Sequence, residues 1–243
     1  MIAARNLTKL FKNHVAVDNI SLSIDPGTTL ALVGESGSGK STLGKMLLHL
    51  ILPTSGAVYW KGVPLSSFTP TELKSWRKKA QIIFQDPYAS LNPRMRVDQI
   101  LEEPLIIHKL PRSRAQLGKA LTAVQLSPSD LTKYPHEFSG GQRQRIGIAR
   151  ALMSNPEFVV CDESVASLDS ATQMQVLTLL KTLQKEHSLT YLFISHDLRA
   201  VQFMADQVAV MQRGSIVEMG PAEKLFSAPE HAYTQELIAA TIF

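Results

Sequence analysis

Cysteine is nearly missing from the sequence, where Cys161 stands alone. One thiol cannot form an internal disulfide, a thiolate metal cluster or an iron–sulfur site, so a disulfide-built secreted scaffold is excluded and a reducing compartment is expected. Long apolar runs are missing as well, with no window near the ~18 residues that span a bilayer. The opening MIAARNLTKLF has neither the apolar core nor the cleavage site of a secretion signal. The chain is therefore not expected to cross a membrane itself. Repeats, low-complexity tracts and Ser/Gly linkers are lacking too, so any second lobe must be an insertion within one continuous domain. Charge of one sign does not accumulate: 25 Lys and Arg face 21 Asp and Glu, a scattered net +4. No nucleic-acid partner is expected from that balance. The single dense run, Lys74 to Lys79, reads as a solvated helix face.

What is present suffices for a sizeable core, at 243 residues, 44% hydrophobic and 19% charged. Residues Ile20 to Ile24 alternate apolar and polar as a half-buried strand does. Pro26-Gly27 then turns the chain into TLALV, a continuous apolar run suited to a central strand. Thr69-Pro70-Thr71-Glu72 places a capping hydroxyl, an N1 proline and an N3 glutamate in order, which predicts a helix ending before QIIF. From Val97 to Met153 the apolar spacing is mostly helical, broken by Pro111, Pro128 and Pro135. Phe158 to Cys161 and Tyr191 to Ser195 are strand-like. Strands alternating with helices on either side of a helical insertion imply a mostly parallel sheet covered on both faces.

Gly34-Glu35-Ser36-Gly37-Ser38-Gly39-Lys40-Ser41 matches G-x-x-x-x-G-K-[ST] and lies between the strand TLALV and a helix that runs on from Ser41 and Thr42. Glycines there let backbone N–H groups close around the phosphates of a nucleotide. Lys40 can reach its β- and γ-phosphates, and the Ser41 hydroxyl can ligand Mg²⁺. A glycine-rich turn without a nucleotide is the plain alternative, and the flanking strand and helix argue against it. Asp162 and Glu163 end an apolar strand, where alternation should aim them in different directions. Asp162 then suits an outer partner of Mg²⁺, and Glu163 a general base that polarises water. Two acids capping a strand for solubility is the competing reading. Ser139-Gly140-Gly141-Gln142 precedes a segment of helical spacing, forming a second anion-binding helix end. A second cradle has no use unless it serves a nucleotide held by another subunit.

Taken together, SGGQ ahead of the Asp162-Glu163 strand, with Gln85 before it and His196 after it, resembles the ATP-binding cassette (ABC) ATPase family over the whole chain. The resemblance implies an α/β P-loop NTPase with a RecA-like, mostly parallel sheet core, an N-terminal antiparallel β subdomain and an inserted α-helical subdomain. It implies a single ATPase domain over 1–243, with residues 1–90 and 156–243 forming the core and about 91–155 the helical part. It also assigns roles. Phe11 would stack on adenine, although a Phe so placed is equally at home in a core. Gln85 would touch Mg²⁺ or the attacking water, His196 the γ-phosphate, and Asp169 would sit in a loop that crosses to the partner subunit. Phe138, Ser164 and Ala166-Ser167 depart from the family's usual Leu, Pro and Ser-Ala. None removes a phosphate, metal or water ligand, but the last two bear on the stiffness of the crossing loop. Ser195-His196-Asp197 is no hydrolase triad, since adjacent residues at a strand end cannot converge as a triad does.

Residues Ile83 to Met95, HEFSGGQRQRIGIARAL and HAYTQEL are similar to the importers of peptides, nickel and metal–opine complexes. Within that subfamily the wording from Pro87 to Arg94 looks like the second of two paired ATPases. This implies ATP and Mg²⁺ as cofactors, a second ABC ATPase as partner (a different chain, with a homodimer as the alternative) and two transmembrane permease subunits. An extracytoplasmic solute-binding protein would act indirectly, and the place of work would be the cytoplasmic face of the cell membrane. Longer relatives continue into a cysteine-bearing extension, which is not expected here because the sequence stops at Phe243 without one. The competing function is a nucleotide-binding subunit with a slow or regulatory ATP site. A repair or translation ATPase lacks support, as does a GTPase or small-molecule kinase: no coiled-coil insertion, second cassette or Asn-Lys-x-Asp motif is present.

Overall fold

Strand-forming residues in the first quarter of the chain build two different sheets. In the computed structural model, which describes residues 2–240, β1 (Ile2–Phe11) and β2 (His14–Ile24) form an antiparallel hairpin whose tip pairs Phe11 with His14. The Asp25-Pro26-Gly27 turn, closed by Thr28 N–H donating to the Asp25 carbonyl at 3.3 Å, leads into β3 (Thr29–Val33), all five residues of which are buried. After α1 (Lys40–Leu47), β4 (Ser55–Trp60) and β5 (Val63–Pro64) return to the first sheet, in the antiparallel order β2-β1-β4-β5. Met1 and residues 241–243, including Phe243 and both ends of the expected domain, lie outside the described residues.

The helix predicted from Thr69 onward is α2 (Pro70–Lys79). Glu72 N–H donates to Thr69 Oγ1 at 3.3 Å and Thr69 N–H to Glu72 Oε2 at 2.8 Å, the reciprocal capping box. Its basic run is a solvated face around one apolar anchor, Trp76, which is 1% exposed and lies against Trp60 and Phe158. The helix gives way to β6 (Ala80–Ile83). Gln85, which ends the strand-like QIIFQ of the sequence, therefore lies two residues beyond β6. A short helix, α3 (Pro87–Ser90), precedes the expected helical stretch from Val97 to Met153, which holds α4 (Val97–Ile107), α5 (Arg114–Ala123) and α6 (Gly140–Leu152). Pro111 falls between helices, and Pro128 and Pro135 open short 3₁₀ turns, whereas Pro104 is tolerated inside the last turns of α4.

Then come β7 (Phe158–Asp162), α7 (Ser170–His187), β8 (Thr190–Ile194), α8 (Leu198–Met204), β9 (Gln207–Gln212), β10 (Ser215–Pro221), α9 (Ala222–Ser227) and α10 (Ala232–Ala239). The second sheet has the order β10-β9-β3-β8-β7-β6, parallel throughout except for β10. Period-two alternation splits these strands between two cores. Leu30, Leu32, Val160, Leu192 and Ile194 pack with α1 and the antiparallel sheet. Ala31, Val33, Val159, Cys161 and Phe193 pack with α4 to α8. The loops leaving β3, β7 and β8 consequently emerge side by side at the carboxyl edge of the parallel strands, where open α/β sheets bind ligands.

Candidate functional site

Gly34 to Gly39 leave the buried strand β3 and enter α1 at Lys40. No side chain caps this helix, in contrast to α6 and α7, so its first-turn N–H groups are open to an external anion. Lys40 is 5% exposed and donates to the carbonyls of Gly34 at 2.8 Å and Glu35 at 2.7 Å. Burial pulls its pKa below the usual lysine value, opposed by the carboxylates of Glu163, Asp162 and Glu35. One face of the loop lines a cleft of about 460 Å³ with Phe11, His14, Ser36, Gly37, Gly39, Lys40, Ser41, Thr42, Gln85 and Glu163 among its walls. The other face, with Gly34, Glu35, Ser36 and Lys40, lines a second cleft of about 400 Å³ that holds Glu163 and His196. Ser38 is buried beneath the loop, its carbonyl accepting from Gly214 N–H at 3.0 Å. Phe11 is 44% exposed, so it is a wall of the first cleft and not a core residue. Lys9 Nζ lies 5.1 Å from its ring centroid.

Ser41 Oγ donates to Asp162 Oδ1 at 2.8 Å, bringing a hydroxyl from α1 onto a carboxylate 121 residues later. Burial raises the Asp162 pKa above the aspartate norm, against the lowering effect of the Ser41 hydrogen bond. Among the described residues no group of three His, Cys, Asp or Glu converges as a protein-only cation cage. The donor set instead fits Mg²⁺, which takes few protein oxygens and completes its shell with phosphate oxygens and water.

Asp162 and Glu163 do aim at different partners, Ser41 and His196, but the backbone and not strand alternation separates them. The strand β7 ends at Asp162, and Glu163 adopts a left-handed conformation with φ 49°. Its N–H donates to the Ile194 carbonyl at 3.0 Å, which ties this turn to the end of β8 and aims the side chain at His196. His196 Nδ1 is 3.3 Å from Glu163 Oε2. Ser195 and Asp197 make no triad with it: Asp197 N–H donates to Ser195 Oγ at 3.0 Å, and Asp197 caps α8.

Neither cleft includes Ser139, Gly140, Gly141, Gln142 or Asp169. Ser139 caps α6, accepting from Gln142 N–H at 3.3 Å, while Gln142 Oε1 accepts from Ser139 N–H at 3.0 Å. This box uses those two donors and leaves the N–H groups of Gly140 and Gly141 for a ligand. Gly141 has a second constraint absent from the sequence reading: a Cβ there would run into Thr172 Cγ2 of α7. Asp169 caps α7, and the hydrogen bond from Thr172 N–H at 3.0 Å lowers its pKa below the aspartate norm. Phe138, in place of the family's Leu, is 5% exposed and serves the same core. Ser167 Oγ donates to the Gln85 carbonyl at 3.5 Å, so the atypical segment contacts the loop after β6. From α6, Gln144 Nε2 donates to the Phe84 carbonyl of that loop at 3.4 Å, and the following α3 is held by Arg150 donating to the Ser90 carbonyl at 2.6 Å and by Arg143 lying 3.9 Å over the Tyr88 ring. His14 was missed in the sequence because its place in the cleft depends on the β1–β2 pairing.

The family model described as ABC transporter matches residues 17–166. The chain is 50% identical over 229 residues to a putative oligopeptide transport ATP-binding protein of Bacillus subtilis, YkfD, covering 93% of this chain and 70% of that one. It is 49% identical to the dipeptide transport ATP-binding protein DppF of Escherichia coli, covering 93% and 69%. With the oligopeptide transport ATP-binding protein OppF of Streptococcus mutans it shares 48% identity, covering 99% and 81%. A solved dimeric structure of the ATP-binding cassette MJ0796 in a post-hydrolysis state, bound to ADP and Pi, superposes with a TM-score of 0.80. Its identity is 29%, over 91% of this chain and 99% of that one.

Proposed function

The chain belongs to the ABC transporter family, and from that premise we propose that it is the ATP-hydrolysing subunit of a peptide importer. Its P-loop cassette fold and its ATPase class accord with the sequence reading. Among the substrate classes of the resembling importers, peptides are favoured over nickel and metal–opine complexes by the names of the relatives above. The observation that carries the reading is the meeting of Lys40, Ser41, Asp162, Glu163 and His196 at one edge of the parallel sheet.

In the proposed mechanism Phe11 stacks on adenine at the rim of the first cleft. Lys40 exchanges its loop carbonyls for the β- and γ-phosphates, and the N–H groups from Gly37 to Thr42 close around them. Ser41 and Gln85 would hold Mg²⁺, with Asp162 orienting the Ser41 hydroxyl. The chemistry Mg²⁺ supplies when bound is neutralisation of the charge growing on the phosphate oxygens. Glu163 takes the proton of the attacking water, and His196 fixes the γ-phosphate from the other side. Ser139, Gly140, Gly141 and Gln142 present α6 to the ATP held by a partner ATPase, with Asp169 in the loop that crosses between subunits. The unit of about 91–155 then moves with the Gln85 loop, to which α6 is tied by Gln144 and, through α3, by Arg143 and Arg150.

A groove lined by Leu50, Phe84, Pro104, Ile107 and Arg150 opens beside that loop, and we assign it to the permease subunits. Work at the cytoplasmic face, a heterodimeric ATPase pair and indirect service to a solute-binding protein complete the proposal. Retention of Glu163 beside His196 favours hydrolysis over the slow-site alternative. The test is reconstitution in vesicles with the permeases and sister ATPase encoded alongside. ATP-dependent uptake of labelled di- and oligopeptides, abolished by Lys40→Ala, is expected. Uptake of nickel alone, or ATP turnover unaffected by Lys40→Ala, overturns it.

A further inference from the structure

HAYTQEL near the end of the sequence is the motif to which the proposed function assigns no task. Its backbone is pinned by β10: Glu218 accepts from Glu230 N–H at 2.9 Å and from His231 N–H at 3.0 Å. His231 Nδ1 then accepts from Tyr233 N–H at 3.2 Å and starts α10. Tyr233 is 7% exposed, and its hydroxyl accepts from Glu35 N–H at 3.0 Å, across 198 residues of sequence. One turn later on the same face of α10, Leu237 lines the cleft that contains Glu163 and His196. The last described helix is thus a wall of the site.

The bond from Glu35 has a specific consequence. Glu35 N–H and the Gly34 carbonyl belong to one peptide plane, and that carbonyl accepts from Lys40 Nζ at 2.8 Å. Tyr233 holds one end of the plane and Lys40 the other. Gly34 has φ 141°, a conformation in which a residue without Cβ can rotate its following peptide at little cost. Once Lys40 turns to phosphate, the Tyr233 hydroxyl is the side-chain anchor of this peptide that remains among the described residues. We propose that Tyr233 is a positioning residue of the phosphate loop, holding the Gly34–Glu35 peptide in the orientation that receives ATP. This rests on the loop being the ATP site.

The test compares the parent chain with Tyr233→Phe, each assembled with its sister ATPase, because phenylalanine keeps the buried ring and removes only the hydroxyl that accepts from Glu35 N–H. Loss of a neutral hydrogen bond should raise KM for MgATP about three- to tenfold while kcat at saturating ATP stays within about twofold. Amide hydrogen exchange at Glu35 should quicken in the nucleotide-free full chain. An unchanged KM with a lowered melting temperature overturns the proposal, leaving Tyr233 a packing residue only, and so does unchanged exchange at Glu35. Lys40→Ala runs alongside: if it binds MgATP as the parent does, the ATP-site reading falls and this inference with it. If only Tyr233→Phe is without effect, the inference alone falls.

Discussion

His196 Nδ1 stands 3.3 Å from Glu163 Oε2, bridging the turns that follow β8 and β7. The pair is not there for stability, since the His196 side chain is 61% exposed and an exposed pair contributes at most about 1 kcal/mol. Its geometry arises from the left-handed turn at Glu163, fastened to the Ile194 carbonyl. In the proposed mechanism that turn places a proton acceptor beside a phosphate-fixing imidazole.

Glu163→Gln should preserve ATP binding and stop the chemistry. The amide keeps the shape and can still hydrogen-bond His196, but it cannot accept a proton from water. ATP-stabilised complexes with the sister ATPase should accumulate and be visible by light scattering. Continued single-turnover hydrolysis at this site would remove Glu163 from the role of base.

Asp162→Asn should stabilise the nucleotide-free chain near neutral pH while weakening Mg²⁺-dependent ATP binding. Burial raises the pKa of Asp162, so the folded state holds this proton more tightly than the unfolded state. The stabilisation from that proton is complete below the unfolded value of about 3.9 and is lost as pH climbs through the raised folded value, leaving the ionised carboxylate a cost. The advantage of the amide in urea melts should therefore be larger near pH 7 than near pH 4. A uniform gain at both pH values would show that desolvation of the carboxylate is not its source.

Ser139→Arg should act asymmetrically. A bulky cation at the exposed end of α6 fills the space the partner's phosphate must enter, yet Ser139 lines neither cleft near Lys40. The isolated chain should bind a fluorescent ATP analogue as the parent does, whereas hydrolysis in the partner's pocket should collapse on assembly. Weakened binding by the isolated variant would put α6 in the chain's own site.

Gly141→Ala should cost about 1–3 kcal/mol, the usual range for an overpacked contact, because the new methyl meets Thr172 Cγ2. Thr172→Ser removes that methyl and keeps the backbone N–H that caps onto Asp169. The double variant should regain most of the lost stability in thermal melts. Absence of rescue would move the steric conflict elsewhere.

The parts of this protein legible in one dimension are those whose partners lie within one turn of helix or one strand. The capping partners Thr69 and Glu72 are three positions apart, and so are Ser139 and Gln142. The phosphate loop is likewise a continuous segment between β3 and α1. Their chemistry is complete locally, and the structure could only place them. Alternation alone could not orient Glu163, because a left-handed residue follows the strand. Nor could any local pattern set Ser41 against Asp162, Ser167 against the Gln85 carbonyl, Gly141 against Thr172, or Tyr233 against Glu35. These contacts depend on the strand order β10-β9-β3-β8-β7-β6, which sets the ends of distant strands side by side, and on helices that pack across them. Strand order follows from which apolar faces bury each other, a property of the whole chain, so only the tertiary structure decides it.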